Sequence, residues 1–138
     1  MKKILPIIIL ITLLSNFAFC EATSTLTEKN VATFVKLLPE YQELVKKAGI
    51  SSSGEVSEET INNLKKQTDE LFKKYGTSQG TFEHLVEKVS IAFSAAQMQA
   101  NGVDPLKLGI PEMKNLSQKD IDVVKKHMRE LKKIFEGN

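Results

Sequence analysis

Two short motifs of the chain combine histidine with glutamate at the same spacing. His84 and Glu87 form one His-x-x-Glu motif, and His127 and Glu130 form the other. Imidazole nitrogens and carboxylate oxygens are ordinary zinc ligands. Residues three positions apart lie on one face of a helix, so two such helices packed together would offer four ligands to one metal ion. The pattern therefore raises a metal site as one hypothesis.

The order of the two residue types argues against that hypothesis. Helical di-metal proteins place glutamate before histidine and add glutamates from other helices. Here the order is reversed, and both histidines flank apolar seams instead of lying within them. We therefore favour two histidines at the edge of the core, with no metal and no cofactor. A metal-binding protein or small enzyme using these four residues is the alternative.

Other catalytic sets have little support in the sequence. No G-x-S-x-G motif is present, and the serines occupy capping or connecting positions. Four glutamates would be the candidates for glycoside hydrolysis: Glu58, Glu59, Glu83 and Glu87. That reaction needs a carboxylic acid with a raised pKa in a cleft, whereas the start of a helix favours the charged carboxylate. We expect no catalytic residue and no enzymatic activity.

The first 22 residues have the order of a secretory signal peptide. Two lysines precede an apolar run at residues 4–14, which is too short to cross a bilayer. Small residues follow at Ala18, Cys20 and Ala22. This order predicts cleavage near Cys20–Ala22 and a periplasmic or secreted protein.

Cys20 also raises the alternative of a bacterial lipoprotein with a lipidated first residue. That modification requires a small residue directly before the cysteine, and the bulky Phe19 disfavours it. Cys20 is the only cysteine, so the chain forms no intramolecular disulfide under any of these cleavage schemes.

Removal of the signal changes the charge balance. The chain has 19 basic and 17 acidic residues, and 17 and 16 remain without Lys2, Lys3 and Glu21. The nearly neutral remainder lacks the basic excess typical of nucleic-acid binding proteins. Removing 22 of 138 residues leaves 116, the length of one domain, and no run in this part is apolar enough to span a membrane.

Residues 23–138 are predicted to form one all-α, four-helix bundle-like domain. Their apolar residues recur at helical spacing, with no alternating run that would indicate a strand. The predicted helices cover residues 27–49, 57–76, 81–100 and 117–137. Thr27, Ser57 and Ser117 are the expected N-caps. Pro39 fits either a kink in the first helix or two abutting helices.

The segment between the last two predicted helices, residues 101–116, is named here the apolar strap. Two prolines and two glycines prevent a long regular element, yet six large apolar residues are too many for a free linker. We expect the strap to lie across the bundle. Four of its residues are the candidates for binding an apolar ligand or a partner: Leu106, Leu108, Ile110 and Met113.

The last predicted helix carries basic residues opposite its apolar seam: Lys125, Lys126, Arg129, Lys132 and Lys133. Such a face would suit an anionic lipid headgroup, a polysaccharide or an acidic partner. Three acidic residues interleave with it and favour an ordinary solvated face: Asp122, Glu130 and Glu136.

These patterns together predict an exported, non-enzymatic binding protein. Its partner would be an envelope or extracellular protein, or an apolar ligand held by the strap.

Overall fold

A computed structural model describes residues 25–50 and 56–137. These ranges contain five α-helices and no strand: α1 (Glu28–Lys47), α2 (Glu58–Lys74), α3 (Gln79–Ala100), α4 (Gln118–Lys126) and α5 (Met128–Glu136). Two short 3-10 helices, Pro105–Lys107 and Pro111–Met113, lie between α3 and α4. The predicted all-helical class is confirmed. The predicted signal at residues 1–22, with Cys20, lies outside the described residues.

A hydroxyl side chain caps the N-terminus of each of the first four helices. In α1 the Asn30 amide donates to the Thr27 hydroxyl at 3.2 Å, and the Thr27 amide donates back to the Asn30 side chain at 2.8 Å. Ser57 and Ser117 cap α2 and α4 as predicted. The third helix begins earlier than predicted, because the Ser78 hydroxyl accepts from the Thr81 amide at 3.3 Å.

Pro39 does not divide α1. The helix runs without interruption from Glu28 to Lys47, with Pro39 on its exposed side. The buried residues of α1 lie on the other side: Val31, Phe34, Leu37, Leu38 and Tyr41. The structure therefore shows one continuous helix through Pro39 and not two abutting helices.

The predicted fourth helix is two helices in the structure, so residues 25–50 and 56–137 contain five helices instead of the expected four. His127 adopts φ −109° and ψ 15°, outside the helical region, and ends α4. Its carbonyl then accepts the Leu131 amide at 3.0 Å and starts α5. Buried Val124 and Leu131 lie on either side of the break.

The core is built around α1 and α3. Helix α1 contacts each of the other four helices, and α3 contacts α1, α4 and both 3-10 helices. Phe82 of α3 lies at the centre of an aromatic cluster, with ring centroids 6.1 Å from Phe34, 5.2 Å from Tyr41 and 5.3 Å from Phe72. Phe135 of α5 joins this cluster through Phe34 at 6.3 Å. Aromatic burial therefore links helices that are distant in sequence.

Helix α2 lies on the outside and packs mainly on α1. Its buried residues include Thr68, which fills an apolar stripe as its spacing suggests. Ile61, at helical spacing from the buried Leu64 and Leu71, is instead 38% exposed. The carboxylate of Glu40 in α1 accepts hydrogen bonds from the Tyr75 hydroxyl and from Lys74 at the end of α2. None of the helices in residues 25–50 and 56–137 has the length and apolar character needed to span a membrane.

Candidate functional site

The apolar strap is folded against α3 by its two 3-10 helices. Asp104 starts the first of them by accepting the Leu106 amide at 3.2 Å, and Pro105 supplies the restricted φ that suits a first helical position. Gly109, between the two 3-10 helices, has φ +64°, a conformation that glycine adopts without steric cost. The strap is thus an ordered segment with local hydrogen bonds.

Only part of the strap is held in the core. Pro105 is buried, and Met113 and Leu116 are half-buried against the core cluster. Ile110 is half-buried as well. This inner side gives the strap its attachment to the domain.

The outer side of the strap exposes three large apolar side chains, Val103 (39%), Leu106 (37%) and Leu108 (55%). We call these three residues the apolar patch. In the described part of the chain, Ile61 is the other large hydrophobic residue exposed to this extent. Scattered exposed hydrophobics are ordinary, but three within six positions form a local concentration. Of the four strap candidates, Leu106 and Leu108 therefore face outward, while Ile110 and Met113 are partly covered.

The two His-x-x-Glu motifs occupy different settings. His84 is half-buried on α3, and His127 is half-buried between α4 and α5, while Glu87 and Glu130 are exposed. No three His, Cys, Asp or Glu side chains in residues 25–50 and 56–137 are grouped in a way that would hold a metal ion. The metal-binding alternative thus stays a prediction, with no supporting cluster among these residues.

His127 instead contributes to an ion-paired contact between α1 and α4. Lys126, at the end of α4, pairs with Glu28 in the first turn of α1. The hydrogen bond from Lys126 and its positive charge lower the pKa of Glu28, with a smaller contribution from His127. Both partners are largely exposed, so the pair contributes little to the stability of the fold.

The glutamates considered for glycoside hydrolysis lie on two helices, α2 and α3. Glu58 and Glu59 are exposed in the first turn of α2. Glu83 is half-buried on α3 and accepts a hydrogen bond from the Gln79 side chain at 2.9 Å. Carboxylates are common at these positions, in the first turn of a helix or on its surface.

Asp120 has a role that the sequence revealed only in part. Its position three residues after Ser117 is typical of a capping box. The Ser117 amide and hydroxyl donate to the Asp120 carboxylate at 2.9 and 2.8 Å. The structure adds that Asp120 is buried and accepts the Leu26 amide at 2.7 Å. Lys88 of α3 lies 3.6 Å from the same carboxylate. Asp120 therefore joins the segment before α1 to α3 and α4.

The electrostatics of Asp120 follow from these contacts. Burial alone would raise the pKa of its carboxyl group. The hydrogen bonds from the Ser117 and Leu26 amides and the Ser117 hydroxyl, with the charge of Lys88, outweigh burial and lower that pKa. Asp120 is thus a buried carboxylate that is stable in its charged form.

The basic face of the last predicted helix is divided by the break at His127. Lys125 donates to the Gln99 side chain at 2.6 Å, and Lys126 is paired with Glu28. Arg129, Lys132 and Lys133, all on α5, are exposed. Within the described residues no ion pair joins these three to an acidic side chain.

Comparisons with protein-family models, with curated proteins and with solved structures found no match to this chain. The functional assignment therefore depends on the surfaces described above.

Proposed function

We propose that this chain is an exported, non-enzymatic helical protein that binds a partner protein through the apolar patch. The order of charged, apolar and small residues at positions 1–22 supports export, with signal cleavage near Cys20–Ala22. The observation that carries the binding role is the outward exposure of Val103, Leu106 and Leu108 within six positions.

The setting of the patch supports binding without a large rearrangement. The patch lies on a strap whose two 3-10 helices contact α3, with Pro105 buried and Met113 packed against the core. A preorganised loop loses little conformational entropy on binding. The backbone that carries the patch is thus shaped by its own 3-10 helices before a partner binds.

A partner protein suits this surface better than a small apolar ligand. Small ligands are bound in concave sites that cover most of their surface, whereas Leu108 projects from the domain with over half of its surface exposed, 55%. Three side chains are also less than a stable interface requires, which is about 1,000 Å² of buried surface. We expect the contact to extend to the end of α3, where Ala100, Asn101 and Gly102 are exposed.

Site-specific photo-crosslinking tests the proposal directly. A benzophenone amino acid is placed at Leu108, in the patch, or at Ile61, the exposed hydrophobic residue of α2. The full chain is expressed in the cells that naturally make it and irradiated. We expect a discrete adduct with one protein from position 108 and none from position 61. Absence of an adduct at 108, or the same adducts from both positions, would contradict the proposal.

The protein found in the adduct then serves as a purified probe. Leu106→Ser together with Leu108→Ser should weaken its binding at least tenfold, because both anchors lose apolar contact area. Ile61→Ser is the matched control, since it removes an equally exposed hydrophobic side chain outside the patch. Equal affinity of the double variant and the control would show that the adduct formed by chance proximity.

A further inference from the structure

We infer that two copies of this chain form a domain-swapped dimer by exchanging α5. In this dimer α4 and α5 straighten at His127, here called the hinge, into one helix, and α5 of each copy packs in the core of the other. Apolar residues recur at steps of three and four through the hinge: Ile121, Val124, Met128, Leu131 and Phe135. Positions 118–136 contain no glycine and no proline. The sequence of this segment therefore suits one continuous helix as well as two.

The break at the hinge leaves backbone amides unpaired that a continuous helix would pair. The His127 amide donates to the Val124 carbonyl at 3.0 Å, and the next bond across the junction runs from the Leu131 amide to the His127 carbonyl. Within the described residues the amides of positions 128–130 have no hydrogen-bond acceptor. In a straight helix each of these amides would donate to the carbonyl four residues earlier. Straightening therefore adds backbone hydrogen bonds that the bent form lacks.

The bent form is stabilised by the contacts of α5 with the core. Leu131 and Phe135 are buried, and the Phe135 ring centroid lies 6.3 Å from that of Phe34 in α1 and 5.1 Å from that of Phe93 in α3. One connection, at His127, joins α5 to the rest of the described domain. A straight helix would carry α5 away from these rings of its own chain. The apolar side of α5 and the site that it leaves would then both need a cover.

A second copy of this chain supplies that cover without any new complementarity. Its α1 and α3 present the same site that α5 occupies in the bent form, so a reciprocal exchange restores the contacts of both α5 helices. Because Leu131 and Phe135 are in phase with Ile121 and Val124, α4 can stay on its own core while α5 extends to the partner. A short hinge also favours domain swapping. Since association costs entropy, we expect the dimer at high protein concentration.

Two pairs of introduced cysteines distinguish exchange from other association. The Gln97 side chain of α3 donates to Glu136 of α5 at 2.8 Å, so Gln97→Cys with Glu136→Cys places one thiol on each side of the exchanged contact. The control is Gln99→Cys with Gln118→Cys, which replaces another side-chain pair bonded at 2.8 Å. Both residues of the control precede the hinge, so exchange of α5 does not separate them. All variants also carry Cys20→Ser, which removes the native thiol.

Cross-linking of the separated oligomers is the test. The full chain is expressed, and the processed protein is purified, unfolded in urea and refolded over a range of protein concentrations. Size-exclusion chromatography with light scattering separates monomer from dimer, and circular dichroism verifies that each variant is helical. Both fractions are treated with bismaleimidoethane and analysed by denaturing electrophoresis. We expect a dimer fraction that rises with protein concentration.

The two pairs should behave differently in the dimer and alike in the monomer. In the dimer fraction the pair at positions 97 and 136 should join two chains covalently. The pair at positions 99 and 118 should join residues of one chain in the same fraction. In the monomer fraction both pairs should react within one chain.

Two substitutions at the hinge should shift the dimer equilibrium in opposite directions. His127→Ala favours helical backbone angles, whereas His127→Gly accommodates non-helical angles freely. Both variants lose the imidazole, so each is the matched control of the other. The dissociation constant of the dimer should be lower in His127→Ala than in His127→Gly by roughly tenfold, because each dimer contains two straightened hinges.

Four results would overturn the inference. They are a protein that stays monomeric at every refolding concentration, a dimer in which the 97 and 136 pair reacts only within one chain, a dimer in which both pairs join two chains, and equal dissociation constants of the two His127 variants. Leu106→Ser with Leu108→Ser should leave the dimer fraction unchanged. Failure of the patch proposal and failure of the exchange are therefore distinguishable.

Discussion

The backbone amide of Leu26 donates a hydrogen bond of 2.7 Å to the buried carboxylate of Asp120, 94 positions later in the chain. Leu26 precedes α1 and is itself buried in the core. The bond therefore closes the start of the domain onto the first turn of α4. Because Lys88 of α3 lies near the same carboxylate, three parts of the chain meet at one charged group.

Replacement of Asp120 by alanine should destabilise the domain strongly. The variant leaves the Leu26 and Ser117 amides without their acceptor and removes a carboxylate near Lys88. We expect a loss of about 3 kcal/mol in the free energy of unfolding, measured by urea denaturation. Asp122→Ala is the control, since Asp122 is exposed on the same helix. Similar losses in both variants would contradict the role assigned to Asp120.

The same carboxylate should make stability depend on acid pH. The folded protein lowers the pKa of Asp120, so the unfolded chain binds the proton more readily. This contribution to stability is complete above the unfolded pKa of about 3.9 and is lost as the pH falls through the folded pKa. Unfolding free energies measured between pH 6 and pH 3 should fall less steeply in Asp120→Asn than in the wild type.

The exposed carboxylates of Glu28 and Glu40 also make the free energy of unfolding fall with decreasing pH, so they need a control variant of their own. The pKa of Glu28 is lowered by its hydrogen bond with Lys126, and that of Glu40 by its hydrogen bonds with Tyr75 and Lys74. Glu40→Gln should therefore flatten the slope less than Asp120→Asn, because solvent screens the exposed charge. A larger effect from Glu40 would show that the main acid-sensitive contact lies between α1 and α2.

Two substitutions in the strap should differ in their effect on stability. Leu108 is 55% exposed, so Leu108→Ser should change the free energy of unfolding by no more than about 0.5 kcal/mol. Met113 packs against the core, and Met113→Ser should cost about 1–2 kcal/mol. Chemical denaturation of the two variants provides the comparison. A large loss from Leu108→Ser would place this residue in the core and remove it from the apolar patch.

Alkaline titration should separate the two tyrosines. Burial raises the pKa of Tyr41, with a further contribution from the charge of Glu83, and the hydrogen bond to Glu40 raises that of Tyr75. The folded state favours the protonated phenol, so this contribution is present below the unfolded pKa of about 10 and is lost as the pH rises above it.

We therefore expect Tyr41 to ionise together with unfolding. Tyr41→Phe should remove the part of the tyrosinate absorbance change that coincides with loss of the helical circular dichroism signal. Ionisation of Tyr41 at a pH where the helices are intact would show that its hydroxyl reaches solvent. Tyr75, at the domain surface, supplies the internal reference in the same titration.

Helix starts were predictable where one hydroxyl residue stood before an apolar pattern. Thr27, Ser57 and Ser117 all cap as expected because the bond from a side chain to an amide three residues later is local. The predicted start of α3 at Thr81 was late, because Ser78 caps the helix and Gln79 is its first residue. The break at His127 gave no signal, because the apolar spacing continues through it.

The all-helical class and the caps at Thr27, Ser57 and Ser117 were thus determined by the sequence alone, through spacing and local hydrogen bonds. Tertiary structure decided which strap residues face outward, that Asp120 is buried with Leu26, and which cations of the last helices are paired. These outcomes depend on contacts between segments far apart in the chain. Local propensity does not encode such contacts, because burial and ion pairing are settled only when the helices pack.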